Sequence, residues 1–395
     1  MQAPTYADYR ERLRGEHLPL AYVDLALLMA NADDLVARSG GKPIRLASKS
    51  IRCREVLRRV LDRSPVFQGV LCFGAGEAAH LAAHGFDDLV IAYPTVDAHD
   101  IAAVCEQVAR GANICFMVDE AGHLPPLATA AAAHKVELAV AIDLDMSSRF
   151  PGLHFGVHRS PVFEVHTALA LADAIAKTPG VRLDGLMGYE AQIAGLQDHA
   201  PGQFLKSAAV RLLKARSDRE LRLRRGAVVR ALQARGHRLR FVNGGGTGSL
   251  ESTRDDEVVT ELAAGSGLYG PVLFDGYQRF KLRPAAGFAL PVVRRPVPGI
   301  YTCFGGGWIA SGAAGRDRLP HPYLPAGARL LATEGAGEVQ TPIAFPGPLE
   351  LGDPVLFRHA KAGELCEHVH ELLLLGPDGA RERAPTYRGD GFAFV

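Results

Sequence analysis

From residue 19 to about 270, short apolar runs rich in β-branched residues alternate with Ala/Leu/Arg-rich stretches of helical texture. This alternation constrains the fold more than any other feature of the chain. The runs cover 20–24, 44–47, 70–73, 89–93, 114–118, 138–143, 183–188 and 239–243, with helical patterns such as 52–62, 77–84, 99–110 and 162–177 between them. Strands separated by helices imply right-handed crossovers and a parallel sheet. Eight of them over roughly 250 residues is the size of a (β/α)8 barrel. A doubly wound open sheet, which would use fewer strands, ranks second. After 275 Pro and Gly rise, long helical patterns vanish, and strand-like runs appear at 288–293, 301–304, 329–333, 337–341 and 354–359. The expected fold class is therefore α/β: a (β/α)8 barrel over 18–280, joined near 280–286 to a mostly-β domain over 281–395 that takes in part of 1–17.

Composition narrows the function classes. The chain has 395 residues, 48% hydrophobic and 22% charged, which supplies a sizeable core and excludes global disorder. Lys+Arg is 44 and Asp+Glu is 43, so no whole-molecule field attracts nucleic acid or an anionic membrane. The basic segment 206–240 lacks interleaved aromatics and reads as a solvated outer helix of the barrel. The start has no apolar signal core, no apolar run is long enough to span a bilayer, and the six cysteines form no CxxC pair. The expectation is a cytoplasmic protein with reduced thiols, no nucleic-acid partner and no membrane.

In a barrel, functional side chains project from the C-terminal ends of strands. Ala47-Ser48-Lys49-Ser50 follows one predicted strand, and a lysine near a low-dielectric core can lose its proton and form a Schiff base. Taken alone, a solvated surface lysine is the plainer reading of Lys49. Asn243-Gly244-Gly245-Gly246-Thr247-Gly248-Ser249 follows another strand, where bare backbone N–H groups and hydroxyls can hold a phosphate; a flexible loop is the alternative. Ala264-Gly265-Ser266-Gly267 is a second such turn, in the quarter of the barrel where phosphate sites form. Polar strand ends, Asp143 and Asp145 leading to Arg149, and Tyr189-Glu190, can hold or stack on a flat cofactor. Gly74-Ala75-Gly76-Glu77-Ala78-Ala79 matches a dinucleotide turn, but the next strand ends in Pro94-Thr95 and lacks the acidic partner. Near the C-terminus, 359–370 is dense in His, Cys and Glu; on a strand, Cys366, His368 and His370 would share one face and could ligate a metal.

Lys49 together with the glycine loops resembles the fold-type III pyridoxal-phosphate enzymes, and within them the D-threonine aldolase and D-serine dehydratase-like group. The stretches RLASKS, GLMGYEAQIAG, FVNGGGTGS, ELAAGSGLY, GEVQTP and FRHAKAGELCE carry the resemblance along nearly the whole chain. It implies an alanine racemase-like barrel and a D-serine dehydratase-like β-domain from about 288. It implies pyridoxal 5'-phosphate as cofactor and lyase chemistry on β-hydroxy-D-amino acids, either retro-aldol cleavage or dehydration. An amino acid racemase using Tyr269, Tyr301 or Tyr323 is the runner-up, and a non-catalytic cofactor carrier comes third. By the same resemblance Lys49 carries the Schiff base, Gly245, Gly246, Thr247, Gly265 and Ser266 surround the phosphate, and Arg149, Tyr189 and Glu190 line the ring, with Lys49 and Tyr189 catalytic. A divalent metal (Zn, Mn or Mg) would use His359 and Cys366. The family motif has Cys or Asp two residues after the histidine, and here Lys361 stands in that place. A small D-amino acid substrate and a homodimer complete the expectation.

Overall fold

The computed structural model describes residues 4–199 and 204–395. It divides into two compact units, one of residues 34–49, 59–265 and 394–395, the other of 1–33, 50–58 and 266–393.

The first unit is a closed barrel of eight parallel strands. In order around the barrel they are Ile44–Ala47, Phe67–Cys72, Leu89–Ile91, Ile114–Val118, Leu138–Asp143, Val181–Gly188, Phe241–Gly244 and Glu261–Ala264, the last pairing back onto the first. Most strands are buried along their whole length, as expected where helices cover the outer face and side chains fill the interior. Val90, Met117, Ala141, Met187 and Phe241 belong to one packed layer of that interior.

One expectation about the strands is corrected. The run 20–24 is not a barrel strand; Leu20–Asp24 pairs antiparallel with Ala286–Val297 and parallel with Glu371–Leu375 in the other unit. The barrel's eighth strand is Glu261–Ala264. A five-residue run buried on both faces looks the same in either sheet, so pattern alone cannot assign it.

Near the N-terminal ends of the strands the interior holds charge. Arg45 is 1% exposed and donates to Glu261 at 2.7 and 2.8 Å and to the Asp88 carboxylate at 3.0 Å. Asn243 donates to the same Glu261 carboxylate at 2.9 Å, and Arg240 binds Asp88 and Asp184, both at 2.7 Å. Each buried charge therefore has partners, which is what allows it to be buried at all. Gly69 and Gly185 make room: a Cβ at Gly69 would lie 2.3 Å from the Arg45 guanidinium, and one at Gly185 would lie 2.4 Å from the Phe241 ring.

The dinucleotide-like turn is filled by protein. The Phe394 ring lies 3.6 Å from where a Gly76 Cβ would stand, and Glu77 accepts from the Phe73 N–H at 2.7 Å.

The second unit is built on a nine-stranded sheet among the described residues. The helix Tyr6–Arg12, closed at its start by a Thr5–Asp8 capping box, packs Tyr9 with Tyr22, Leu356 and Leu373 in its core. No helix among the described residues is long and apolar enough to cross a membrane.

Arg45→Met would leave the buried Glu261 carboxylate without its counter-charge and the half-buried Asp88 with Arg240 alone. It is expected to cost about 3–5 kcal/mol of stability, read from the urea midpoint. A loss below about 1 kcal/mol would mean that this interior pair does not hold the barrel closed.

Candidate active site at the barrel rim

Lys49 sits on a single turn, Ser48–Ser50, directly after Ile44–Ala47, and is exposed. The Ser48 hydroxyl donates to the Leu71 carbonyl at 3.0 Å and pins that turn to the neighbouring strand. The Lys49 ammonium lies 6.0 Å from the Tyr93 ring centroid, and the Arg159 guanidinium lies against the same ring. Burial pushes this phenol up, but the two cations outweigh it and hold Tyr93 below the ordinary tyrosine range.

Arg159 is itself fixed. Its Nε donates to Asp143 at 2.6 Å and a terminal nitrogen donates to the Ala92 carbonyl at 2.8 Å. Its guanidinium lies 4.9 Å from the Tyr93 ring and 5.8 Å from the Tyr189 ring, so one cation spans both aromatics. Burial pushes the Asp143 carboxyl up to about 7, against the pull of Arg159 and with Asp119 and Asp145 adding to the rise. Burial, with neighbouring Glu190, pushes the Tyr189 phenol up to about 12.

The glycine loop lies against Tyr189: a Cβ at Gly246 would stand 3.2 Å from the Tyr189 ring and 2.9 Å from Ala194. Gly245 has φ +87°, a conformation glycine adopts without strain. Its N–H donates to Glu190 at 2.7 Å, and Glu190 also accepts from Arg225 at 2.6 Å and from the Thr253 hydroxyl at 3.2 Å. The Gly246 N–H donates to the Ser249 hydroxyl at 3.0 Å. Thr247 is buried, and its carbonyl accepts from Arg38 at 2.6 Å. On the neighbouring strand, a Cβ at Gly265 would fall 2.4 Å from the Ala47 carbonyl, so only glycine fits beside the lysine turn. Ser266 begins the short helix Ser266–Tyr269 in the second unit.

The residues expected around the ring are placed as follows. Arg149 is exposed on the hairpin Ser148–Phe150/Leu153–Phe155, with its guanidinium 3.9 Å from the Phe163 ring; Arg159 is the arginine beside Tyr189. Glu190 is 2% exposed and braces the glycine loop from behind. Tyr93 and Arg159 were not among the sequence candidates. The strand-end rule could have found Tyr93, which closes the predicted run 89–93, whereas Arg159 follows no regular element. Two of the three tyrosines suited to a racemase base are committed to backbone: Tyr269 donates to the Ile51 carbonyl at 2.9 Å and Tyr301 to the Gly347 carbonyl at 2.7 Å.

The second unit carries the residues expected for a metal. Cys366 lies on the turn Glu364–Glu367, before the strand Glu371–Leu375, so Cys366, His368 and His370 do not share a strand face. The Cys366 thiol donates to the Ile51 carbonyl at 3.2 Å, and burial pushes its pKa far up. His359 is buried, neither ring nitrogen has a hydrogen-bond partner among the described residues, and burial lowers its pKa to about 3. Among the described residues no three His, Cys, Asp or Glu side chains converge on one point. A thiol that keeps its proton and a lysine at the second ligand position do not make a divalent-metal site.

The family profile for the alanine racemase N-terminal domain matches residues 23–272, and the chain belongs to that family. It is 28% identical to a D-threonine aldolase of an Arthrobacter species over 270 residues, which span 67% of this chain and 65% of the aldolase. The crystal structure of D-threonine aldolase from Filomicrobium marinum superposes with a TM-score of 0.79 at 20% identity, covering 95% of this chain and 96% of that one. The D-threo-3-hydroxyaspartate dehydratase from Delftia sp. HT23 gives 0.76 at 19% identity, over 94% and 98%. At these identities the structures report a shared fold.

Folding raises the Asp143 pKa, so its contribution to stability is complete below about pH 4 and is lost as pH rises through about 7. The protein is therefore expected to lose stability between about pH 4 and pH 7 with a steeper slope than Asp143→Asn, measured by urea unfolding at several pH values. Equal slopes would contradict the assignment.

Proposed function

We propose that the chain is a pyridoxal-phosphate-dependent lyase acting on β-hydroxy-D-amino acids, by retro-aldol cleavage or by dehydration. The observation that carries this reading is Lys49 at a barrel strand end, beside Tyr93 on the rim that also bears the glycine turns. Its likeness to a D-threonine aldolase supports the substrate class. The residues fit such a cofactor: close packing against Tyr189 and Ala47 keeps Gly246 and Gly265 free of side chains, and the backbone N–H groups of such turns can hold a phosphate. When bound, pyridoxal phosphate withdraws the electrons of a bond broken at Cα.

The chain's own residues supply the rest. Lys49 Nζ is the amine that would hold the cofactor, and in dehydration it is also the base for the Cα proton. Tyr93 can take or return a proton at its phenol oxygen, since two cations stabilise its anion. Arg159, locked by Asp143, keeps that phenol oriented and places positive charge beside Tyr189. Gly246, Thr247 and Gly265, with Ser266 next in the chain, would take the phosphate, while Glu190 and Arg225 hold the loop in shape. The assembly proposed with this activity is a homodimer.

A panel of D- and L-threonine and D- and L-3-hydroxyaspartate is expected to give glycine plus aldehyde, or keto acid plus ammonia, from the D isomers. Lys49→Ala should abolish turnover, and Tyr93→Phe should lower it about 100-fold. Sedimentation of the active preparation should give a dimer. Exchange of D and L isomers without cleavage products would make the protein a racemase, and an active monomer would remove the dimer.

A further inference from the structure

In the second unit, His359, Lys361, Glu364, Trp308 and His368 line one small pocket. Its composition is unusual for a place where a divalent ion is expected. Trp308 stacks on His368 with ring centroids 5.1 Å apart and planes 2° apart, closing one wall. Lys361 reaches across to Ser311, donating to its carbonyl at 3.1 Å and to its hydroxyl at 3.4 Å. Glu364 accepts from the Ser311 N–H at 2.9 Å through one oxygen, while its other oxygen is buried without a hydrogen-bond partner among the described residues. His359 likewise leaves both ring nitrogens without hydrogen-bond partners. The polar atoms without partners here therefore include one carboxylate oxygen and one imidazole, beside an ammonium.

We propose that Lys361 takes the place of a divalent metal in this pocket, which carries its own cation and holds no divalent ion. Three facts lead there. A protonated lysine has three N–H donors and no lone pair, so it cannot ligate a metal. Its charge repels a second cation a few ångströms away. The nearest thiol, Cys366, spends its proton on the Ile51 carbonyl, beside the Tyr269 hydroxyl that donates to the same atom. The inference deepens the lyase reading and rests on it only where turnover is measured.

The test has a binding arm and a turnover arm. The purified protein is analysed for bound metal by mass spectrometry and titrated with zinc, manganese and magnesium by calorimetry. Wild type is expected to carry no stoichiometric metal, and Lys361→Cys, or Lys361→Asp if the first folds poorly, to bind zinc at least about tenfold more tightly. Turnover of the wild type is expected to survive chelator dialysis and to gain less than about twofold from added metal. One bound metal per wild-type chain, turnover that falls on chelation and returns with an ion, or no zinc gained by either variant would overturn the proposal. If no substrate on the panel reacts, the lyase reading fails while the metal analysis and zinc titrations still decide this one.

Discussion

The site depends on how the barrel closes. Strand Glu261–Ala264 pairs with Ile44–Ala47 in the register Leu262 to Ile44, Ala263 to Arg45 and Ala264 to Leu46. Parallel pairing alone leaves register weakly specified when both strands are short and apolar on both faces. The buried contact between Arg45 and Glu261 removes that freedom, because a slip by one residue would separate two charges that have no water to fall back on. The consequence appears at the other end of the same two strands. The turn carrying Lys49 and the turn carrying Gly265 are brought so close that a single methyl group would not fit between Gly265 and the Ala47 carbonyl. The Lys49 turn and the Gly265 turn are thus placed by a charge pair buried lower in the barrel.

Two further ion pairs hold the rest of the rim, and they work in different ways. Arg225 and Glu190 are both almost fully buried, and Glu190 also takes the Gly245 N–H, so the loop is shaped by a carboxylate before any ligand arrives. Arg159 and Asp143 form the second pair at 2.6 Å, which sets a fixed cation against the Tyr93 and Tyr189 rings. Lys49 lies beside the same Tyr93 ring. Pre-placed charges of this kind favour proton transfer because they need not reorganise when it occurs.

Much of this was legible in the sequence. The barrel follows from apolar runs separated by helices. Lys49 and both glycine turns follow from the rule that function sits at C-terminal strand ends. What was not legible has physical causes. Leu20–Asp24 joins another sheet because a fully buried run carries no mark of its neighbours, whereas Glu261–Ala264 is a strand largely through its partners. Arg149 lies nearer in sequence to the Asp143 strand end, yet the chain turns through a hairpin and brings Arg159 back to that strand end instead. Sequence proximity says nothing about such a return. Glu190 sits where a ring-lining residue was expected, but its side chain turns inward to Arg225, a partner 35 positions away.

Whether Lys49 holds pyridoxal phosphate is decided by the visible absorption spectrum of the purified protein before and after borohydride, with mass analysis of the reduced peptide. A visible band that borohydride abolishes, leaving a pyridoxyl mass on Lys49, is expected. No band after adding pyridoxal phosphate, or a label on a different lysine, would contradict that role for Lys49.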